Sequence, residues 1–371
     1  MKLLVVGHSL IIDANRKLWS TFARDNGAQV ELIAPVRWSS NLSRKLDFQE
    51  NASTDGSLHR VHKLRTIFQG RGSVFFFSPV GTFKVLNAKK FDAVYLNQET
   101  WAVSTLVFIL LKLLSRNRST RLYLGVAQNL KKPQFKFLHP YERLVSRFVH
   151  CFLYCSSDVM EVLRWKGIRT PCAYFPLPFD DETYTQTPPR EPNATFRLGY
   201  LGRISEEKGI GILLEACEIL SKKSFDFALV IGGTGPLTNE VQKSAFVTYL
   251  GLIPHNEAHH FYEKIDCFLL PSQTRPHWKE QFGRVIVEAF GAGKPVIGSS
   301  SGSIPEVLGK LGWNWSFEES SAPALAQKIL ELKEFLETPD GRLELSKAIE
   351  KNQRLFSQTT VARDLGRILE Q

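Results

Sequence analysis

Apolar runs of strand length recur along this chain with helical segments between them, and that alternation constrains the fold more than any other feature. The first series comprises residues 3–6, 29–34, 73–77, 92–96, 121–127, 151–156 and 172–175. The second comprises residues 196–202, 227–233, 246–251, 266–272 and 295–300. Strands that alternate with helices build parallel, doubly wound sheets, because each crossover must return to the same sheet edge. Between the series lies FPLPFDDETYTQTPPREP, with five prolines and no helical period, which reads as a linker. A chain of 371 residues is long enough for two cores. The expected organisation is a Rossmann-like domain over 1–175, a linker over 176–194, a second Rossmann-like domain over 195–356, and a helix over 357–371 that crosses back to the first. Ligands of such sheets bind at the C-terminal ends of the strands.

Composition excludes several classes. The chain is 43% hydrophobic and 23% charged, an ordinary globular balance without repeats or low-complexity tracts. The first apolar run is shorter than the roughly 7–15 residues of a signal-peptide core. The longest, within 101–114, falls short of the roughly 18 residues of a membrane span and is interrupted by Lys112. A cytoplasmic protein is expected, soluble or peripheral on the inner membrane face. The five cysteines have no zinc-like spacing and read as reduced core thiols.

Charge is uneven. Residues 1–190 carry 27 Lys and Arg against 14 Asp and Glu, whereas 191–371 carry 20 against 23. Residues 101–150 alone hold nine basic groups and one acid, with leucines and phenylalanines among them. Such a face fits an anionic membrane surface, or a solvated face that keeps the protein soluble. No nucleic-acid motif accompanies the charge, so nucleic acid is not the expected partner.

The segment KEQFGRVIVEAFGAG, residues 279–293, carries the chemistry. It follows a buried apolar run and reads as a loop leading into a helix over about 282–290. Glu280 then lies at the loop mouth and Glu288 about two turns inside. The N–H groups of Phe282 and Gly283 would stand at the positive end of the helix dipole. Carboxylates for hydroxyls beside donors for phosphates suit a nucleotide sugar. Earlier, YLGRISEEKGI puts Arg203, a planar fork of donors, and Lys208, a mobile ammonium, beyond a strand end where a diphosphate could sit. IGGTGP, with Gly233 and Gly235, is a glycine-rich turn that lets backbone approach a ligand.

In this order and spacing, GRISEEKG, GGTGP, YLGLIP, DCFLLPS and EQFGRVIVEAFGAGKPVIGSSSGSIPEVL closely resemble the retaining glycosyltransferases of the GT4 type. The resemblance is strong over about 195–310 and rests on pattern alone before that. It implies the GT-B fold, two Rossmann-like domains facing across a cleft. It also implies a nucleotide-sugar donor, a glycan or lipid-linked acceptor, and no metal or other cofactor. By resemblance, Arg203 and Lys208 would bind the diphosphate, and Glu280, the residue nearest to a catalytic role, would position the sugar. Phe282 and Gly283 would supply amides, Glu288 would hold the ribose, and Ile253 would lie against the base. On the acceptor side, His8, Gln98, Gln128 and Asn129 are the candidates; Gln128 and Asn129 stand where many members place a histidine. The pair Arg37-Trp38 reads as a carbohydrate-binding surface. Two alternatives stay open: another GT-B activity such as a sugar-nucleotide epimerase, and a non-catalytic binding protein that uses its basic half.

Overall fold

The computed structural model describes residues 1–39, 45–50, 57–70, 74–186 and 195–371. The end of the expected linker, residues 187–194, and Ser73 of the expected strand at 73–77 lie outside the described residues. The chain divides into two units, Met1–Pro176 with Val361–Gln371, and Leu177–Thr360.

The first unit holds seven parallel strands: β1 (Lys2–Val6), β2 (Gln29–Pro35), β3 (Arg60–Leu64), β4 (Ala93–Asn97), β5 (Arg121–Val126), β6 (Cys151–Tyr154) and β7 (Cys172–Tyr174). Their order across the sheet is 7-6-5-4-1-2-3. Alternate residues serve opposite faces, which is why the strands read as continuous apolar runs. Leu4, Val6, Val94, Leu96, Leu122 and Leu124 join a core with Phe108, Ile109 and Val145 from the covering helices. Leu3, Val5, Val30, Leu32 and Tyr95 join the opposite core with Trp19 and Phe22. The last helix, Gln358–Glu370, belongs to that second face through Val361, Ala362, Leu365 and Leu369. Asp181 accepts from the Thr359 hydroxyl (3.0 Å) near the start of this helix, consistent with a capping role.

One strand departs from the apolar pattern. The strand β3, third in chain order and at the edge of the sheet, is RVHKL, residues 60–64, half-exposed, with charges that hide it from a search for apolar runs. The phenylalanine run that follows contributes only Phe76–Phe77, paired with Thr66–Ile67 in a separate two-stranded ribbon. Beside the edge strand, buried Glu31 accepts from His62 (2.7 Å) and Lys89 (2.7 Å).

The second unit holds six parallel strands: β8 (Phe196–Leu201), β9 (Phe227–Gly232), β10 (Val247–Tyr249), β11 (Cys267–Leu270), β12 (Val296–Ser299) and β13 (Ser316–Phe317). Their order is 10-9-8-11-12-13. Both sheets therefore reverse strand order once, between β1 and β4 in the first unit and between β8 and β11 in the second. Such a reversal opens a crevice at the carboxyl ends of the two central strands.

Burial pushes the Glu31 carboxyl up, but the bonds from His62 and Lys89 outweigh it and hold the group below its usual range. A depressed carboxylate stabilises the fold above its unfolded pKa, and the contribution is lost as pH falls through the lower, folded value. Glu31→Gln should therefore cost about 2 kcal/mol at neutral pH. Denaturant titrations across pH should show the gap to wild type closing in acid.

Candidate functional site

At the reversal of the second sheet, the loop after β8 carries Arg203 and Lys208, and the loop after β11 carries Ser272, Trp278 and Glu280. The Lys208 ammonium lies 2.7 Å from Glu280 Oε2 and 4.8 Å from the centroid of the Trp278 ring. Ser272 Oγ donates to the same carboxylate oxygen at 2.8 Å. Glu280 is buried, so these contacts replace most of its water. The loop that follows β12 braces the arrangement: Ser299 donates to the Ser272 carbonyl (2.5 Å), and the Ser303 N–H donates to the Glu280 carbonyl (3.2 Å).

The approach of the two loops depends on Gly209. Its φ of +74° is left-handed, and a Cβ there would stand 1.8 Å from the Pro271 carbonyl oxygen. Arg203 is exposed and makes a loose 3.6 Å contact with Glu207, while its own carbonyl accepts from Tyr200 OH at 2.6 Å. Backbone is therefore pinned while the guanidinium stays available.

Gly233 answers a packing need. At φ +130° its Cβ would meet the Gly202 carbonyl oxygen at 1.8 Å. The two loops are joined there by Ile204 N–H to the Thr234 carbonyl (3.0 Å). Gly235 donates its N–H to Thr238 Oγ1 at 2.9 Å. Ile253 is half-buried beside the Gly232 end of β9.

The helix bearing Glu288 spans Arg284–Gly291, two residues later than the sequence pattern places its start. Gly283 is its N-cap in the left-handed region (φ +73°), and Phe282 turns into the core against Phe356 (5.8 Å between centroids). Glu288 is thus little more than one turn inside. Among the described residues, no acceptor bonds the amides of Phe282, Gly283 or Arg284. Glu288 is buried and accepts from Tyr262 OH at 3.2 Å. Burial first, and the Glu288 charge second, hold the Tyr262 phenol far above its usual pKa, so it remains a donor. Ser272, Trp278 and Tyr262 escaped the motif reading. Trp278 was findable, two residues before Glu280; Tyr262 is 26 positions from its partner, and only the fold joins them.

The first unit has its own crevice. His8 follows β1 and Gln98 follows β4, with Nδ1 and Nε2 3.3 Å apart. The His8 ring stacks on Trp38 at 4.8 Å and meets Phe75 edge-on at 5.4 Å, and burial lowers its pKa, favouring neutral imidazole. The Arg37-Trp38 expectation is corrected here: Trp38 is buried behind His8, and the Arg37 guanidinium pairs with Asp47 (2.8 Å), so the two form no carbohydrate platform.

Gln128 also changes meaning. Its Oε1 accepts from Trp101 Nε1 (3.0 Å) and Lys166 Nζ (2.8 Å), and its Nε2 donates to the Leu130 carbonyl (3.0 Å). A side chain so committed organises the loop, with Asn129 buried next to it. Glu99 holds the same loop by accepting from the amides of Ala127 (2.8 Å) and Gln128 (2.9 Å). Burial raises its pKa despite those bonds and Lys166. Lys166 lies 2.6 Å from Glu142, both nearly inaccessible. Lys166→Met should strand the Glu142 charge and cost about 3–5 kcal/mol, read as a matching fall in urea midpoint. Wild-type stability would show that the pair does not support this loop.

Residues 185–355 match the family described as glycosyl transferases group 1. The putative colanic acid biosynthesis glycosyltransferase WcaL of Escherichia coli (strain K12) is 28% identical over 199 residues, 52% of this chain and 49% of that protein. The amylovoran biosynthesis glycosyltransferase AmsK of Erwinia amylovora is 30% identical over 186 residues, 47% of this chain and 44% of its own. The chain thus spans about half the length of the curated relatives it matches. Among solved structures, a glycosyltransferase from Rickettsia africae superposes with a TM-score of 0.74 at 15% identity, covering 100% of this chain and 97% of that one. Anabaena HepE in complex with UDP-glucose gives 0.70 at 18%, covering 100% and 99%. Residues 185–355 are thus similar to the group 1 glycosyl transferases, and the two Rossmann-like units have the GT-B fold of these solved structures.

Proposed function

We propose that this protein is a metal-independent, retaining glycosyltransferase. It moves a sugar from a nucleotide-sugar donor to a glycan or lipid-linked acceptor in cell-surface polysaccharide synthesis. The observation that carries the reading is the convergence of Lys208, Glu280 and Ser272 at the strand reversal of the family-matching unit, with Arg203 exposed beside them. The named roles of WcaL and AmsK in colanic acid and amylovoran biosynthesis support the pathway class. The UDP-glucose bound to HepE supports the donor class.

In this reading the donor diphosphate lies against Arg203 and Lys208. Lys208 has three N–H donors, so it can turn to phosphate while keeping Glu280 within reach. Glu280 accepts from hydroxyls of the donor sugar, Glu288 from the ribose, and the open amides of Phe282 and Gly283 receive anionic oxygens. Gly233, Gly235 and Ile253 line the nucleotide, and His8 and Gln98 serve the acceptor.

The acceptor hydroxyl oxygen bonds to the anomeric carbon on the face from which the phosphate oxygen departs. The anomeric carbon–phosphate oxygen bond breaks, and the hydroxyl proton passes to that oxygen. A glycoside and a nucleoside diphosphate result, with configuration kept. The two cations neutralise the leaving group, so no metal and no covalent enzyme nucleophile are needed.

Glu280→Gln tests the positioning role. The amide loses an acceptor and the charge pairing with Lys208, which frees the ammonium for phosphate. Turnover should fall by about 10²–10³-fold while nucleoside diphosphate affinity holds or rises. Equal losses in both would remove Glu280 from sugar positioning.

A further inference from the structure

A second surface of the first unit has no part in the transfer chemistry. The helix Val103–Leu113 packs Phe108 and Ile109 onto the sheet and buries Lys112, whose ammonium donates to the Arg118 carbonyl at 3.1 Å. Its outward side is apolar instead. Leu106, Leu110 and Leu113 follow one another at helical spacing, and Leu114 beyond them is 76% exposed. The neighbouring helix His139–Ser146 contributes Val145 to the same core and leaves Leu144 exposed, with Phe148 exposed just past its end. This reverses the usual amphipathic arrangement of a surface helix.

Where the two helices end, a pocket of about 370 Å³ lies among Leu113, Arg118, Arg121, Arg147 and Phe148. No acid lines it, and among the described residues none of the three arginines forms an ion pair. The loop bearing Arg118 is fixed from below: Asn117 accepts from the Phe91 N–H (2.8 Å) and donates to the Lys89 carbonyl (2.9 Å). The single acid of residues 101–150, Glu142, is buried on Lys166, so the charge this stretch presents to solvent is entirely positive.

An apolar line alone would fit any greasy partner. Three arginines with no acid paired to them, around a pocket at its end, select an anionic one. We propose that this face docks on an anionic phospholipid bilayer, with a lipid phosphate seated among Arg118, Arg121 and Arg147 while the leucines and Phe148 enter the headgroup boundary. Neither the charge nor the apolar side chains alone give firm attachment; the two together do. Vesicle binding needs no donor, so this inference stands or falls independently of the transferase reading.

Co-sedimentation of the full chain with vesicles tests it. Mixed phosphatidylcholine–phosphatidylglycerol vesicles should capture the protein, pure phosphatidylcholine should not, and raising the salt should release it. Arg118→Glu/Arg147→Glu should weaken capture by on the order of tenfold or more, and Leu110→Ser/Leu114→Ser should weaken it with the charges intact. Thermal midpoints establish that each variant is folded, and Arg118→Gln/Arg147→Gln replaces the reversal should that variant unfold. Equal capture by neutral vesicles, or capture unchanged in both variants, would overturn the proposal. So would a leucine variant that splits an oligomer yet sediments with vesicles as wild type does, which would assign the face to a second copy of the chain.

Discussion

The contact between Lys208 and Glu280 joins what would otherwise be separate loops. Lys208 sits on a short turn after β8 and Glu280 on a long loop after β11, yet their charged atoms are 2.7 Å apart. That distance requires the left-handed Gly209 against the Pro271 carbonyl, Ser272 on the carboxylate, and the serine loop after β12 behind it. A buried charge is costly unless paired and hydrogen-bonded, and Glu280 is both. The pairing also sets the chemistry: an ammonium and a carboxylate are held together where phosphate and sugar hydroxyls could each find a partner. Remove either group and the other loses its opposite charge, keeping only Ser272 on the carboxylate or the Trp278 ring beside the ammonium.

The two sheets share one plan, and the difference lies in what stands at each strand reversal. The second unit offers cations and carboxylates, groups suited to a diphosphate and a sugar. The first offers a half-buried imidazole and amides against an aromatic wall, beside a polar network around Lys166. Much of its excess positive charge lies in the segments between the later strands. Nearly the same scaffold thus presents two different sets of side chains at its strand ends.

Much of this was legible in the sequence because local physics dominates it. Continuous apolar strands announce a parallel sheet covered on both faces, and a glycine after a strand announces close backbone approach. The residues expected on the donor side come from one family-like order of motifs, so Arg203, Lys208, Glu280 and Glu288 could be named together, and the fold places Arg203, Lys208 and Glu280 on loops at one strand reversal. What escaped depended on tertiary contact. The edge strand at 60–64 is half-exposed and charged, so it lacks the apolar signature. Trp38 looked like a surface aromatic until the fold placed it behind His8. Gln128 looked available until Trp101 and Lys166 were found on its carbonyl oxygen. The start of the Arg284–Gly291 helix moved because Gly283 is its left-handed cap, a conformation the pattern of apolar residues does not encode.

The central claim, that the strand reversal of the second unit binds a nucleoside diphosphate through Lys208, is tested most directly by calorimetric titration. The full chain and its Lys208→Ala variant would each be titrated with a panel of nucleoside diphosphates in the presence of EDTA. The account predicts saturable binding of one base series by the wild type without metal, and affinity at least about tenfold weaker in the variant. No binding by the wild type, binding only when metal is restored, or equal affinity in the two proteins would contradict it.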